Sequence, residues 1–145
     1  MINLIKKPTN DLMNELGKSN NIDSYLNKNK DYLIDKSISQ ILTDILKEKN
    51  LKKFDVIQKS EISEVYGYQL FSGTKTNPSR DKILCICIAM ELSLEEIQNL
   101  LKLTGFAPLY PKSKRDSIII FGINDKNSVC EINNSLYEQG EKVFE

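Results

Sequence analysis

The chain has 145 residues, with 20 Lys and Arg balanced by 20 Asp and Glu and 40% apolar residues, enough to bury the core of one domain. It contains no histidine, which removes Ser-His-Asp, Cys-His and histidine-ligated metal chemistry together. No apolar run is long enough to span a membrane and the first residues lack the apolar stretch of a signal peptide, so a cytoplasmic protein is expected.

Residues 1–36 are expected to form a helical arm. Thr9 is placed to cap a helix over residues 10–17, with Leu12, Met13 and Leu16 on one side. GKSNN reads as a turn, and Ile22, Tyr25 and Leu26 suggest a second short helix ending near Asn29. Tyr32, Leu33 and Ile34 lead into the next cap. The Asn and Lys content of residues 18–30 also suits a disordered segment.

Ser37 caps the clearest helix, residues 38–49. There Ile38, Ile41, Leu42, Ile45 and Leu46 recur at i, i+3, i+4, i+7 and i+8. Asn50 ends it. Two short helical patterns follow, residues 53–60 with Phe54, Val56 and Ile57, and residues 64–72 after a break at Glu61-Ile62. Ser63 suits the cap of the second helix and Gly73 the left-handed residue beyond its end. Two helices of about two turns joined by a turn of three to four residues are what a helix-turn-helix needs.

Pro78-Ser79 opens another helix, residues 80–91, apolar nearly all round and therefore expected between other helices. It carries Cys85 and Cys87, read as buried reduced thiols acting as small hydrophobes. Leu92-Ser93 is a short turn. Residues 94–104 put Leu94, Ile97, Leu100 and Leu101 on one face and stop at Gly105, and Glu95-Glu96 complements the helix dipole. Pro108 and Pro111 punctuate a connector, from which a helix begins at Pro111 or Lys112 and runs to about Asn124. Its apolar half holds Ile118, Ile119, Ile120, Phe121 and Ile123. Ser128 caps a last helix, residues 129–139, with Val129, Ile132, Leu136 and Tyr137 inward. This αα-hairpin has an apolar face that needs a cover, either its own domain or a dimer partner.

Charge is unevenly spread. Residues 1–46 hold six cations and six anions, residues 47–82 eight against five, and residues 83–145 six against nine. The basic third contains the helix-turn-helix, as contact with phosphate requires.

Several motifs now line up: Leu51-Lys52-Lys53 at the entry, Ile62-Ser63 before the second helix, residues 69–73 (QLFSG) closing it, and residues 78–82 (PSRDK) opening the next. Over residues 37–104 the sequence resembles the λ-repressor-like (Xre-type) helix-turn-helix family, and the arm and tail resemble those of longer bacterial members. The resemblance implies an all-α protein with a five-helix λ-repressor-like core over residues 37–105. An N-terminal helical arm over residues 1–36 precedes it, and a connector and C-terminal αα-hairpin over residues 106–145 follow. It also implies a sequence-specific double-stranded DNA-binding transcriptional regulator, a homodimer without cofactor, metal or catalytic residues. Carried over by position, Lys53 lies near a phosphate. Ser63, Glu64, Val65 and Gln69 face the major groove, and Ser72, Thr74 and Lys75 lie near the backbone beyond it. The hydroxyls of Tyr66 and Tyr68 can donate to phosphate oxygens, and Arg80 completes the contact set.

Three residues depart from the family pattern. Glu61 and Glu64 set carboxylates beside the expected phosphates, and Gly67 stands where an apolar residue usually tucks under the recognition helix. With zero net charge, they favour an alternative: a non-catalytic interaction module, adaptor, antitoxin-like or anti-repressor, binding protein through residues 1–36, residues 106–145 or the tyrosine-bearing helix.

Overall fold

Serine hydroxyls set most of the helix starts. In the computed structural model, which describes residues 9–30 and 36–145, the side chains of Ser37, Ser63, Ser79, Ser93, Ser113 and Ser128 each accept from an amide one turn ahead. Each satisfies a donor that the helix itself leaves unpaired. At Ser37, Ser93 and Ser128 a Gln or Glu three residues on returns the bond to the cap amide, closing a capping box. The described residues are helical and contain no strand.

The chain divides into two units, Met1–Lys36 and Ser37–Glu145. In the first, α1 (Thr9–Lys18) and α2 (Ile22–Lys28) form a hairpin. Thr9 lies inside α1 instead of capping it. Asn21 caps α2 by accepting from the amides of Asp23 and Ser24. Tyr25 and Asn29 are buried, and the Asn29 amide donates to Glu15 Oε2 at 2.7 Å. Met13, Leu16, Ile22 and Leu26 are exposed. The expected apolar segment around Tyr32, Leu33 and Ile34 lies outside the described residues.

The second unit contains α3 (Ile38–Glu48), α4 (Lys53–Lys59), α5 (Glu64–Ser72), α6 (Arg80–Ala89), α7 (Leu94–Leu103), α8 (Lys114–Asn124) and α9 (Val129–Glu138). The all-round apolar pattern of α6 has its expected consequence: Ile83 through Ala89 are all buried, with α4, α7 and α9 packed around this helix. Burial pushes the Cys85 thiol up to about 12, helped by the Asp81 charge, and raises Cys87 as well. Both stay protonated hydrophobes near neutral pH. The apolar stripe of α3 buries Ile41, Leu42, Ile45 and Leu46 and packs on α5.

Four of the connections are one corner repeated. After a C-cap (Lys49, Ser60, Met90, Asp125) comes a left-handed non-glycine residue: Asn50, Glu61, Glu91 or Lys126, with φ of 53, 61, 58 and 58°. Two residues later the next N-cap follows (Lys52, Ser63, Ser93, Ser128). In three corners the residue before that N-cap donates its amide to the carbonyl five residues back: Leu51 to Leu46, Leu92 to Cys87 and Asn127 to Gly122, at 2.8, 3.2 and 2.8 Å. These are the 6→1 bonds of a Schellman ending.

Two sequence expectations about the C-terminal hairpin need correction. Helix α8 starts at Lys114, because the Ser113 hydroxyl accepts from the Asp116 amide at 3.2 Å and holds Pro111 and Lys112 outside the helix. Tyr137 is 80% exposed and Phe121 is 70% exposed. Ile119, Ile123, Val129, Ile132 and Leu136 are the residues that face the core.

Candidate functional site

The corner between α4 and α5 differs from the other three by one hydroxyl. Ser60 is fully buried and donates to the Ile57 carbonyl at 2.6 Å while accepting from the Ile62 amide at 3.3 Å. Its side chain thus sits between the two groups that would otherwise bond directly. Two residues beyond Ile62, the first turn of α5 begins at the surface.

Gly67 fixes how α5 lies on α4. A Cβ at this position would fall 2.6 Å from Ile57 Cγ2 and 2.9 Å from Cγ1, closer than side-chain atoms approach. The glycine therefore admits Ile57 into the α4–α5 crossing, where Ile57, Leu70 and Phe71 are buried. Where the sequence shows only a missing apolar side chain at Gly67, the structure shows Ile57 filling that place. The C-terminus of α5 ends on Gly73 at φ 87°. There Ser72 Oγ donates to the Gln69 carbonyl at 3.1 Å and lies 3.0 Å from Thr74 Oγ1, and the Lys75 amide donates to the same Gln69 carbonyl.

With one side of α5 buried, Glu64, Val65, Tyr68 and Ser72 are exposed. At i, i+1, i+4 and i+8 they form one outward stripe. Ser63, Thr74, Lys75 and Lys53 are also exposed, whereas Tyr66 and Gln69 are half-buried. Two lysines rest on aromatic rings of α5: Lys53 Nζ is 5.9 Å from the Phe71 centroid and Lys82 Nζ 5.5 Å from that of Tyr66. Both are within the range of cation–π attraction. Lys82 was not among the sequence candidates; a lysine four residues after the Pro78 that opens a helix was the available signal.

Arg80 is the candidate whose charge is already matched inside the fold. Its guanidinium donates to both carboxylate oxygens of Asp116, at 3.0 and 2.9 Å, and to the carbonyls of Ala107 and Pro108. Such a bidentate fork uses the planar donor set fully. At the adjacent residue of each helix the partners are exchanged: Arg115 of α8 donates to both oxygens of Asp81 of α6, at 3.1 and 3.0 Å. Arg115 also holds the Lys142 carbonyl and lies over the Phe144 ring, which fastens the C-terminal tail. Burial raises the Asp116 carboxyl, but the Arg80 hydrogen bonds, the Tyr110 amide and the charges of Arg80 and Arg115 outweigh it and hold the group below the usual carboxylate range. Arg80 is thus a brace between α6, the connector and α8.

Three corners, α4–α5, α6–α7 and α8–α9, meet around a groove of about 750 Å³ with Ile88, Leu92 and Val129 among its apolar lining. Its charged residues are mixed: Lys59 and Lys126 oppose Glu61 and Glu91, while Glu96 is engaged by Lys49 and Glu131 closes the α9 capping box. Among the described residues no three His, Cys, Asp or Glu side chains are grouped to hold a metal ion, and no helix is long and apolar enough to cross a membrane. Comparison with protein-family models, curated proteins and solved structures finds no match to this chain.

Proposed function

We propose that α4 and α5 form the helix-turn-helix of a λ-repressor-like, sequence-specific double-stranded DNA-binding regulator that acts as a homodimer in the cytoplasm. The observation that carries this reading is the presentation of α5. Its inner side is locked onto Ile57 through Gly67 while Ser63, Glu64, Val65 and Tyr68 face outward from its first two turns. A recognition helix needs that combination of rigid seat and free N-terminal half. Lys52, Lys53, Lys59 and Lys75 flank it with exposed ammonium groups, and cations in such positions neutralise phosphates.

Full-length protein should bind an operator of two half-sites about one helical turn, ~34 Å, apart. Its affinity should fall steeply as salt rises, because each neutralised phosphate releases a counterion. Selection from a random duplex pool, followed by fluorescence anisotropy at two salt concentrations, measures both properties. A pool that yields no enriched sequence rejects the reading. Lys53→Ala should weaken all duplexes alike, by roughly the loss of one phosphate contact.

A protein-binding module on the same helices is favoured by one specific feature. Phe54, Val65 and Tyr68 are exposed on α4 and α5, and so are Glu61 and Glu64. Exposed apolar groups accompanied by acids suit a protein partner better than a phosphate ladder. A stoichiometric partner recovered with full-length protein and lost in Tyr68→Glu would support it.

A further inference from the structure

The outward stripe of α5 carries chemistry that discriminates among bases. It consists of a carboxylate (Glu64), a branched apolar group (Val65, 69% exposed), a phenol (Tyr68) and a hydroxyl (Ser72), with the half-buried Gln69 at its edge. It contains no cation. The arginine nearest in sequence, Arg80, is bound to Asp116 and two carbonyls, and Lys53 and Lys82 lie over aromatic rings of the helix. Guanine is read in the major groove chiefly by Arg or Lys donating to its O6 and N7. The groups that Glu64 and Val65 can engage are on pyrimidines. A carboxylate accepts from the cytosine N4 amino group, and an apolar side chain packs on the thymine C5 methyl.

Resting on the DNA reading above, we propose that α5 reads a pyrimidine step, Val65 against a thymine methyl and Glu64 against a cytosine amino group, with no guanine contact. Adjacent helix residues project about 100° apart, so the two side chains engage neighbouring base pairs, not one. The Glu64 carboxylate, which disfavours phosphate contact, thereby acquires a use. Glu64 selects an amino-bearing base edge and repels any register that would bring a phosphate against it, a specificity device that works by exclusion as well as attraction.

The test starts from a duplex enriched by full-length protein. Each thymine is replaced singly by deoxyuridine, which deletes only the methyl, and each guanine by 7-deazaguanine, which deletes N7. Affinity should fall roughly three- to tenfold at one deoxyuridine position per half-site, the worth of one buried methyl or slightly more. That penalty should vanish in Val65→Ala, whose exposed position leaves the melting temperature unchanged. In Glu64→Ala the preference for cytosine at the adjoining pair should relax. No 7-deazaguanine position should lose as much as threefold. Tolerance of deoxyuridine everywhere, or a tenfold loss at a 7-deazaguanine position, overturns the base assignment while leaving DNA binding in place. A pool without enrichment overturns DNA binding itself and the assignment with it.

Discussion

The α4–α5 and α8–α9 corners solve one packing problem with the two residues exchanged. In each, the contact joins the residue three before the C-cap to the residue four after the next N-cap. At α4–α5 these are Ile57 and Gly67, and at α8–α9 they are Gly122 and Ile132. A Cβ on Gly122 would fall 2.5 Å from Ile132 Cγ1, matching the 2.6 Å separation at Gly67. The corner is thus a way of turning the chain, and its shape alone does not make an interface. What differs between the two is the surroundings. Helix α5 is flanked by lysines and keeps its first turns clear, whereas Glu131, Glu138 and Glu141 surround α9 and the tail is folded back beside it through Arg115, Asn133 and Phe144.

The braces that distinguish the second corner should give the largest effect. Arg80→Ala leaves Asp116, only 10% exposed in its side chain, without its guanidinium, and removing one partner of a pair so enclosed should cost roughly 3 kcal/mol. The loss should appear as early hydrogen exchange in α8 and α9, with α4 and α5 protected longer. Equal loosening of all four helices would show that the two corners are one cooperative unit. The same pair gives a pH arm. Because the folded Asp116 carboxyl is held low, its contribution is fully present above the unfolded carboxylate value of about 4 and is lost as pH falls through the lower folded value. Denaturant melts below pH 4 should therefore fall less steeply in Asp116→Asn than in the parent.

Much of this was legible in the sequence, because the cues were local. The boundaries of α5, the caps at Ser37, Ser63 and Ser128, the helix start after Pro78-Ser79, the stop at Gly73 and the buried Cys85 and Cys87 follow from residues within a turn of one another. The braces were not legible in this way. Arg80 and Asp116 are 36 residues apart, and nothing near Arg80 says that its charge is already matched. In retrospect the repeated Arg-Asp pair in the first turn of α6 and of α8 was a signal, since each arginine could only reach the other helix's aspartate once the two starts met. Tyr137 misled for a different reason. It follows Leu136 on the helix, and a hydrophobic count does not separate a buried residue from its neighbour 100° around the axis.

The exchanged Gly–Ile pairs provide the next test. Gly67→Ala and Gly122→Ala should each destabilise by about 1–3 kcal/mol through overpacking, despite a gain near 1 kcal/mol in helix propensity. If the contact is the cause, Ile57→Ala should offset part of the Gly67→Ala cost, a coupling above ~0.5 kcal/mol in a double-mutant cycle, and Ile132→Ala should not. The reverse should hold for Gly122. Additive costs in both cycles would mean that the glycines are needed for backbone reasons, and the equivalence of the corners would fail.

Ser60 should give the smallest change in stability and the most specific change in α5. In the other three corners the amide before the N-cap bonds directly to the carbonyl that Ser60 here bridges. Ser60→Ala removes a buried hydroxyl from two backbone groups, and leaving both unpaired would cost about 1–3 kcal/mol each. They need not stay unpaired, because the direct bond of the other corners is open to them once the hydroxyl is gone. The expected loss is therefore below about 1 kcal/mol, accompanied by a tighter turn and a changed entry angle for α5. Amide chemical shifts from Glu61 to Tyr66 should move while those of α8 and α9 hold still. On the proposed DNA reading, affinity for the selected duplex should fall by more than the stability change accounts for. A variant that loses 2 kcal/mol or more, with α5 shifts unmoved, would show that the hydroxyl is simply a buried hydrogen-bond partner and not what sets the fourth corner apart.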